Sequence, residues 1–185
     1  VGTLTNLHFL FVGRNQLTFI PATLGGLTAL TRFVADSNRL TAIPEAFWGI
    51  PSLDRVSAQD NAIISEGLGG IEQALSLNIL KLSGNFLDRF PSGITALRGL
   101  KFLLLERNRI TSVPSTIDYL VELEFLDLAQ NRIAMLPASM ARLHQVRLLN
   151  LAQNSLTSLP GRVVGDSVLD LILSGNALRT LSEPP

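Results

Sequence analysis

The sequence predicts a curved solenoid of the α/β class, in which every repeat supplies one short strand and one short helical turn. Three observations predict this class: a motif that recurs about every 23 residues, an asparagine at the same place in each copy, and a proline six residues after most of these asparagines. A fixed period of 20–50 residues is typical of repeat architectures, in which each coil packs only against its neighbours.

The repeat is defined by apolar columns that are counted from the asparagine. In all eight copies the residues eight, five and three before it, and two after it, are apolar. With 46% hydrophobic composition, chance would produce this agreement with odds on the order of 10^-11. The marker residues are Asn15, Asn38, Asn61, Asn85, Asn108, Asn131, Asn154 and Asn176.

Each strand is predicted just before its asparagine. In the copy "LEFLDLAQN", Leu126 and Leu128 point inward together, because side chains on a strand alternate with period 2. The chain must then turn and bury backbone groups without ladder partners, and each such group costs roughly 1–3 kcal/mol. An inward Asn131 can bond these groups within its own turn and the next one. We therefore expect the eight asparagines to form a structural ladder and not a catalytic site.

The opposite side of each repeat is predicted from its prolines. Proline fixes φ and lacks an N–H, which suits an extended segment or the first turn of a helix. An apolar residue follows three positions later, and this spacing indicates about one turn of 3₁₀ or α-helix. Because such turns are wider than strands, the stack should curve. The prolines are Pro21, Pro44, Pro91, Pro114, Pro137 and Pro160.

The unit L-x-x-L-x-L-x-x-N-x-L-x-x-L-P resembles the leucine-rich repeat, over essentially the whole chain. The length of 23 with its "LP" step is similar to the intracellular class of Scribble-like, Ras-suppressor-like and Roco proteins and of plant Ras-group repeat proteins. The resemblance implies a horseshoe with a parallel β-sheet on the concave face, short 3₁₀ or α turns or extended segments on the convex face, and a binding role.

Domain organisation and location are read from composition and from the ends. We expect residues 1–185 to form one leucine-rich repeat domain of eight repeats, a fragment without complete caps. The 15 basic and 15 acidic residues are dispersed, which argues against nucleic acid as a partner. No apolar run approaches 18 residues, so no membrane insertion is expected. The absence of cysteine and of N-x-S/T sites favours a cytoplasmic, intracellular protein.

Catalytic chemistry is nearly absent from the sequence. His8 and His144 are the only histidines, and they lie six repeats apart, so no Ser/His/Asp set can be assembled from them. Two distant histidines and scattered carboxylates do not suggest a metal site. We expect a non-enzyme with no cofactor and no small-molecule substrate.

One coil departs from the pattern. After Asn61 the chain reads "AIISEGLGGIEQALS", with Glu66 and Gly67 in place of the apolar–Pro pair and one residue inserted. One interpretation of Glu66–Gly70 is a degenerate convex turn with flexible glycines. The other is a bulge or hinge that serves a partner.

The concave face is the predicted binding surface. Phe102, Leu104, Phe125 and Leu148 occupy strand positions that alternate with buried ones, so they should form an exposed apolar cluster. Arg107, Arg109 and Arg132 lie nearby as a charged rim, and aromatics and arginines dominate binding energies.

Three interpretations of this surface stay open. The first is a scaffold or adaptor module that binds a protein partner. The second is a targeting or regulatory domain of a larger signalling enzyme (kinase, GTPase, phosphatase or ubiquitin ligase) whose catalytic domain lies outside this chain. The third is a spacer solenoid with no binding face. For the rings themselves, the alternative to binding is that a flanking segment covers them or that they lie flat on the sheet.

Overall fold

A computed structural model describes residues 2–161, 163 and 165–181. Val1 and residues 182–185, on which part of the expectation about chain ends rests, lie outside the described residues. The described residues form one parallel sheet of eight strands in sequence order, and the predicted solenoid is therefore confirmed. The strands are β1 (Phe9–Phe11), β2 (Arg32–Val34), β3 (Arg55–Ser57), β4 (Ile79–Lys81), β5 (Phe102–Leu104), β6 (Phe125–Asp127), β7 (Leu148–Asn150) and β8 (Asp170–Ile172).

The register places equivalent residues of successive repeats side by side. Leu103 pairs with Leu126, and Leu126 pairs with Leu149, so each inward column becomes a continuous row across the sheet. These leucines are fully buried. A parallel ladder with this register needs one crossover per strand, and the convex segment provides it.

The convex segments after Pro21, Pro44, Pro91, Pro114 and Pro137 are short helical turns, as the proline spacing predicts. The turn predicted after Pro160 includes residues 162 and 164, which lie outside the described residues. Pro21 caps the first of these turns in an extended conformation, and its carbonyl oxygen accepts a hydrogen bond from the Leu24 N–H at 3.0 Å. The turn at Pro44 is one short α-helix, α1 (Glu45–Trp48), which buries Phe47 and Trp48. The other turns in the described residues are 3₁₀ helices at Ala22–Gly26, Ser65–Leu68, Ile71–Gln73, Ser92–Ala96, Ser115–Tyr119 and Ala138–Arg142.

The repeated asparagines bond the turns of two coils. The Asn131 amide Nδ2 donates to the Leu128 oxygen of its own turn and to the Leu105 oxygen of the coil before, both at 3.0 Å. Its Oδ1 accepts from the Ile110 N–H at 3.0 Å. The second turn is thus the preceding one and not the following one. The same pair of bonds to the preceding coil recurs from Asn38 to Asn176.

The residue before each asparagine turns the chain through a left-handed backbone conformation. Arg107 has φ 53° and Gln130 has φ 53°, and Gly84 and Gly175 occupy the same position in their repeats. A positive φ is uncommon for residues other than glycine. The repeated asparagine bonds beside it hold this conformation in every coil.

Burial of the apolar columns falls at the two ends of the sheet. Leu126 is fully buried, whereas Leu171, at the equivalent position of β8, is 40% exposed. Leu10 on β1 is only partly buried. Among the described residues, β1 and β8 have a neighbouring strand on one side only. The expected burial of the apolar columns therefore holds in the six central repeats and is incomplete in the first and the last.

Candidate protein-binding face

The predicted apolar cluster lies on the open side of β5, β6 and β7. Phe102 pairs in register with Phe125, and Phe125 pairs with Leu148, so the three side chains stand on adjacent strands roughly 5 Å apart. Phe102 is 37% exposed, and Phe125, Leu148 and Leu104 are half-buried. The structure therefore brings the four predicted residues together on the surface opposite the core.

Two of these rings support each other. The Phe102 and Phe125 ring centroids lie 6.1 Å apart with 28° between the ring planes, within the range of favourable aromatic pairs. Together with Leu104, Ile79 and Lys81 they line a shallow depression of about 290 Å³. We call these residues the apolar depression. Because the rings are held in place before a ligand arrives, little side-chain freedom remains to be lost on binding.

Arg107, one of the three predicted rim residues, forms an ion pair within the protein. A guanidinium nitrogen of Arg107 lies 2.9 Å from an Asp60 carboxylate oxygen, although these residues are two repeats apart. Gly84 lies between them, and a Cβ there would come within 2.3 Å of the same Asp60 oxygen. The missing side chain of Gly84 thus permits the ion pair.

Arg109 contacts an aromatic ring, whereas Arg132 has no such contact among the described residues. The Arg109 guanidinium carbon lies 4.4 Å from the centroid of the Phe86 ring, a distance typical of a cation–π contact. Arg132 is exposed and forms no ion pair with any residue that the structure describes. Of the three predicted rim residues, only Arg132 has neither an ion pair nor an aromatic contact among the described residues.

A second surface depression, which was not predicted from the sequence, lies beside the first. It has a volume of about 260 Å³, and its basic residues are Arg32, Arg55 and Lys81. We call it the basic depression. In the sequence, the signal for this depression is a cation at an outward position of each of three consecutive strands, β2, β3 and β4. The apolar columns that define the repeat do not contain these positions.

Exposed aromatics also lie at the edge of the sheet. Phe9 is 56% and Phe11 is 60% exposed, and their rings stack with centroids 6.4 Å apart. They occupy the same outward columns as Phe102 and Leu104, but on β1, which has a neighbouring strand on one side only among the described residues. Their exposure therefore partly reflects the edge.

The irregular coil is closed by contacts with the next coil. The Ser65 hydroxyl donates to the Asp88 carboxylate at 2.7 Å, and this bond lowers the pKa of Asp88. Glu66 forms an ion pair with Arg89. Gly67 is buried, and a Cβ there would lie 2.4 Å from the Thr41 carbonyl oxygen.

These contacts show that Gly67 is tightly packed, where a flexible glycine was expected. Gly70 has φ 85°, which a glycine adopts without strain. The contacts favour a degenerate convex turn over a hinge.

Within residues 2–161, 163 and 165–181, no group of three or more His, Cys, Asp or Glu side chains could hold a metal ion. No helix in that part of the chain is long and apolar enough to span a bilayer.

Comparison with known proteins supports the fold. Residues 75–133 match the family model described as leucine rich repeat. A leucine-rich repeat protein of Leptospira interrogans is 31% identical, with a TM-score of 0.91 over 97% of this chain and 46% of that one. No curated protein shows significant similarity to the chain.

Two plant receptor structures are similar as well. A peptide hormone receptor, RGFR1, solved in complex with RGF2, is 26% identical with a TM-score of 0.81 over 96% of this chain and 30% of that one. The ectodomain of the Arabidopsis thaliana receptor kinase GASSHO1/SCHENGEN3 is 26% identical with a TM-score of 0.76 over 96% of this chain and 25% of that one. The chain spans less than half the length of each of these three structures. Its fold is that of a leucine-rich repeat solenoid, an architecture that generally serves protein–protein interaction.

Proposed function

We propose that the chain is a protein-interaction module that binds a protein partner on the concave face of its sheet. One observation carries this proposal: Phe102, Leu104, Phe125 and Leu148 form a contiguous apolar cluster at positions that the core does not use. An apolar cluster that remains open to water marks an interaction site more often than a scattered exposed leucine does.

The energetics favour a partner at this cluster. Removing apolar surface from water contributes roughly 25 cal/mol per Å². Buried aromatics at the centre of an interface commonly lose 2 kcal/mol or more of binding energy when truncated. Phe125 lies at the centre of its row, between Phe102 and Leu148. We therefore assign it the largest single contribution to binding.

The arginines take different roles in this proposal. Arg107 and Arg109 hold the edge of the face through Asp60 and Phe86. Arg132, exposed and without an ion pair in the described part of the chain, is the rim residue that would meet acidic groups of a partner. Rim charges act mainly on association rate and salt dependence.

A second candidate is a targeting or regulatory domain of a larger signalling enzyme. It is supported by the similarity to the ectodomain of a receptor kinase, which is 26% identical to this chain. This candidate uses the same concave face, with catalysis in another domain. The sequence of the complete polypeptide separates the two candidates, because only the second requires a catalytic domain in the same polypeptide.

Affinity capture with three baits tests the interaction proposal. The baits are the wild-type chain, Phe125→Ala, and Tyr119→Ala as a matched loss of an exposed aromatic on the convex turn, where Tyr119 is 52% exposed. We expect at least one protein to be retained by wild type and Tyr119→Ala and lost with Phe125→Ala. Equal retention by all three baits would place the site elsewhere, with the coil at 66–70 examined next.

A further inference from the structure

We propose that the partner contributes an acidic–apolar segment, with a carboxylate side chain in the basic depression and an apolar side chain in the apolar depression. This inference rests on the proposed function, because it concerns the same face. It adds the chemistry of the partner and a second contact region, at Arg32, Arg55 and Lys81.

The basic depression has cations that are not fully neutralised. Lys81 and Arg32 form no ion pair with any residue in the described ranges, and the Arg32 guanidinium carbon lies 5.8 Å from the Phe9 ring centroid. Arg55 is bound to Asp54 at 2.9 Å. Arginine and lysine form short, charge-assisted hydrogen bonds with carboxylates, so these cations suit a carboxylate ligand.

The acidic side chain inside the basic depression is already bound. One carboxylate oxygen of Asp36 accepts from the Ser57 hydroxyl at 2.6 Å and from the Gln59 N–H at 2.8 Å. These bonds hold Asp36 against the strand end. The three cations face two carboxylates, Asp36 and Asp54, which leaves an excess of one positive charge for an incoming acidic group.

The two depressions are continuous. Ile79 and Lys81 line both of them. Ile79 pairs in register with Phe102, and Lys81 pairs with Leu104, so the boundary between basic and apolar surface falls along β4. One ligand segment can therefore contact both depressions at once.

The strand spacing sets the geometry of that segment. Arg55 and Phe102 lie in the same outward row, two strands apart, on β3 and β5. Neighbouring strands are about 4.8 Å apart, so this separation is about 10 Å, which an extended chain covers in about three residues. The segment should carry its acidic and apolar residues roughly two to four positions apart.

The charge distribution also gives the segment a direction. Outward positions of the later strands carry Asp127 on β6 and Asp170 on β8, in the rows where the earlier strands carry Lys81 and Arg55. A carboxylate placed there would be repelled. The acidic end of the segment therefore lies over β2–β4 and its apolar end over β5–β6.

A library of random twelve-residue peptides displayed on phage, panned on the immobilised chain, tests the inference. We expect enriched peptides to contain Asp or Glu two to four positions from an aromatic or large aliphatic residue. Enrichment of apolar peptides without acidic residues, or a library that yields no binder, would overturn the acidic–apolar assignment.

Fluorescence anisotropy with one enriched peptide then locates the contacts. Lys81→Glu should weaken binding more than tenfold, and Arg98→Glu, a matched charge reversal on the other side of the repeat, should change it less than twofold. Replacing the peptide's acidic residue by its amide should weaken binding to wild type about as much as Lys81→Gln does, and should cause little further loss on Lys81→Gln. Lys81→Gln repeats the test with a milder change, and thermal melts establish that each variant is folded.

The remaining outcomes separate this inference from the proposed function. Binding that is lost with Phe125→Ala but unaffected by Lys81→Glu and Lys81→Gln overturns the acidic contact and leaves the concave face as the binding site. Equal losses with Arg98→Glu and Lys81→Glu would indicate a general charge effect and also overturn it. Binding unaffected by Phe125→Ala as well as by both Lys81 variants would contradict both proposals.

Discussion

Phe125 and Leu126 are neighbours on β6, and both are large and apolar, yet they lie in different regions of the molecule. Leu126 belongs to the inward row of the sheet and is fully buried, whereas Phe125 belongs to the outward row and is half-buried on an open face. The inward row is set by the fold, since every coil must fill the same space. The outward row is free of that requirement, so we interpret its aromatic and charged residues as a sign of a binding role.

The two rows also vary differently along the solenoid. In the row five residues before the asparagine, every repeat carries Leu, Phe or Val. In the row six residues before it, the residue changes from Phe to Arg, then to Ile, to Phe again and to Leu, and finally to Asp. A position that tolerates charge in one repeat and holds an aromatic ring in another is not selected for packing. Mutations in the two rows should therefore affect different measurements.

Leu126→Ala should have the largest effect on stability. The change leaves a cavity in a fully buried row, and such truncations cost roughly 2–5 kcal/mol. Urea denaturation of wild type and variant measures the loss. A variant that unfolds at the wild-type midpoint would show that the inward row is not the core.

Asn131→Ala should have the second-largest effect on stability. It leaves backbone groups unpaired at Leu105, Leu128 and Ile110, which should lower the free energy of unfolding by roughly 1–3 kcal/mol. Asn15→Ala is the matched control, because Asn15 is exposed and, among the described residues, bonds only its own turn, at the Val12 and Gly13 oxygens. The same denaturation experiment should give a clearly smaller loss for the control. Equal losses would contradict a ladder that joins two coils.

Gly67→Ala tests whether the irregular coil is tightly packed. A Cβ at Gly67 would meet the Thr41 carbonyl oxygen at 2.4 Å, and overpacking of this kind costs roughly 1–3 kcal/mol. At Gly69 the nearest atom to a Cβ is the Glu66 oxygen at 3.8 Å, so Gly69→Ala should be nearly neutral. Thermal melts of the pair decide between a packed turn and a hinge, since a hinge would tolerate both changes.

The arginine variants should have the smallest effects. Arg107→Ala removes a half-exposed ion pair with Asp60, and exposed pairs contribute about 0–1 kcal/mol to stability. Arg132→Ala should leave the melting temperature unchanged and slow association with the captured partner a fewfold, with the effect shrinking at high salt. A large, salt-independent loss with Arg132→Ala would make Arg132 a central contact and not a rim residue.

Much of this arrangement could be predicted from the sequence because it repeats. The period of two on each strand separates Leu126 from Phe125, and the repeated asparagine marks the end of every strand. The register that aligns Phe102 with Phe125 then follows from equal repeat lengths.

The remaining features depend on contacts between particular repeats. Arg107 reaches Asp60 only because Gly84 lies between them, and Arg109 covers Phe86 only because both occupy the same column. The close approach at Gly67 depends on the backbone of the preceding coil. The intracellular class, the single-domain organisation of residues 1–185 and the cytoplasmic location stay predictions.

The central claim is that the outward row serves binding and not folding, and Phe125→Ala tests it most directly. The captured partner is titrated calorimetrically against wild type, Phe125→Ala and Tyr119→Ala, and thermal melts are recorded for all three. We predict a loss of about 2 kcal/mol in binding free energy, or roughly 30-fold in Kd, for Phe125→Ala alone, with its melting temperature within about 2 °C of wild type. An unchanged Kd would contradict the binding role, and a melting temperature that falls as far as that of Leu126→Ala would place Phe125 in the core.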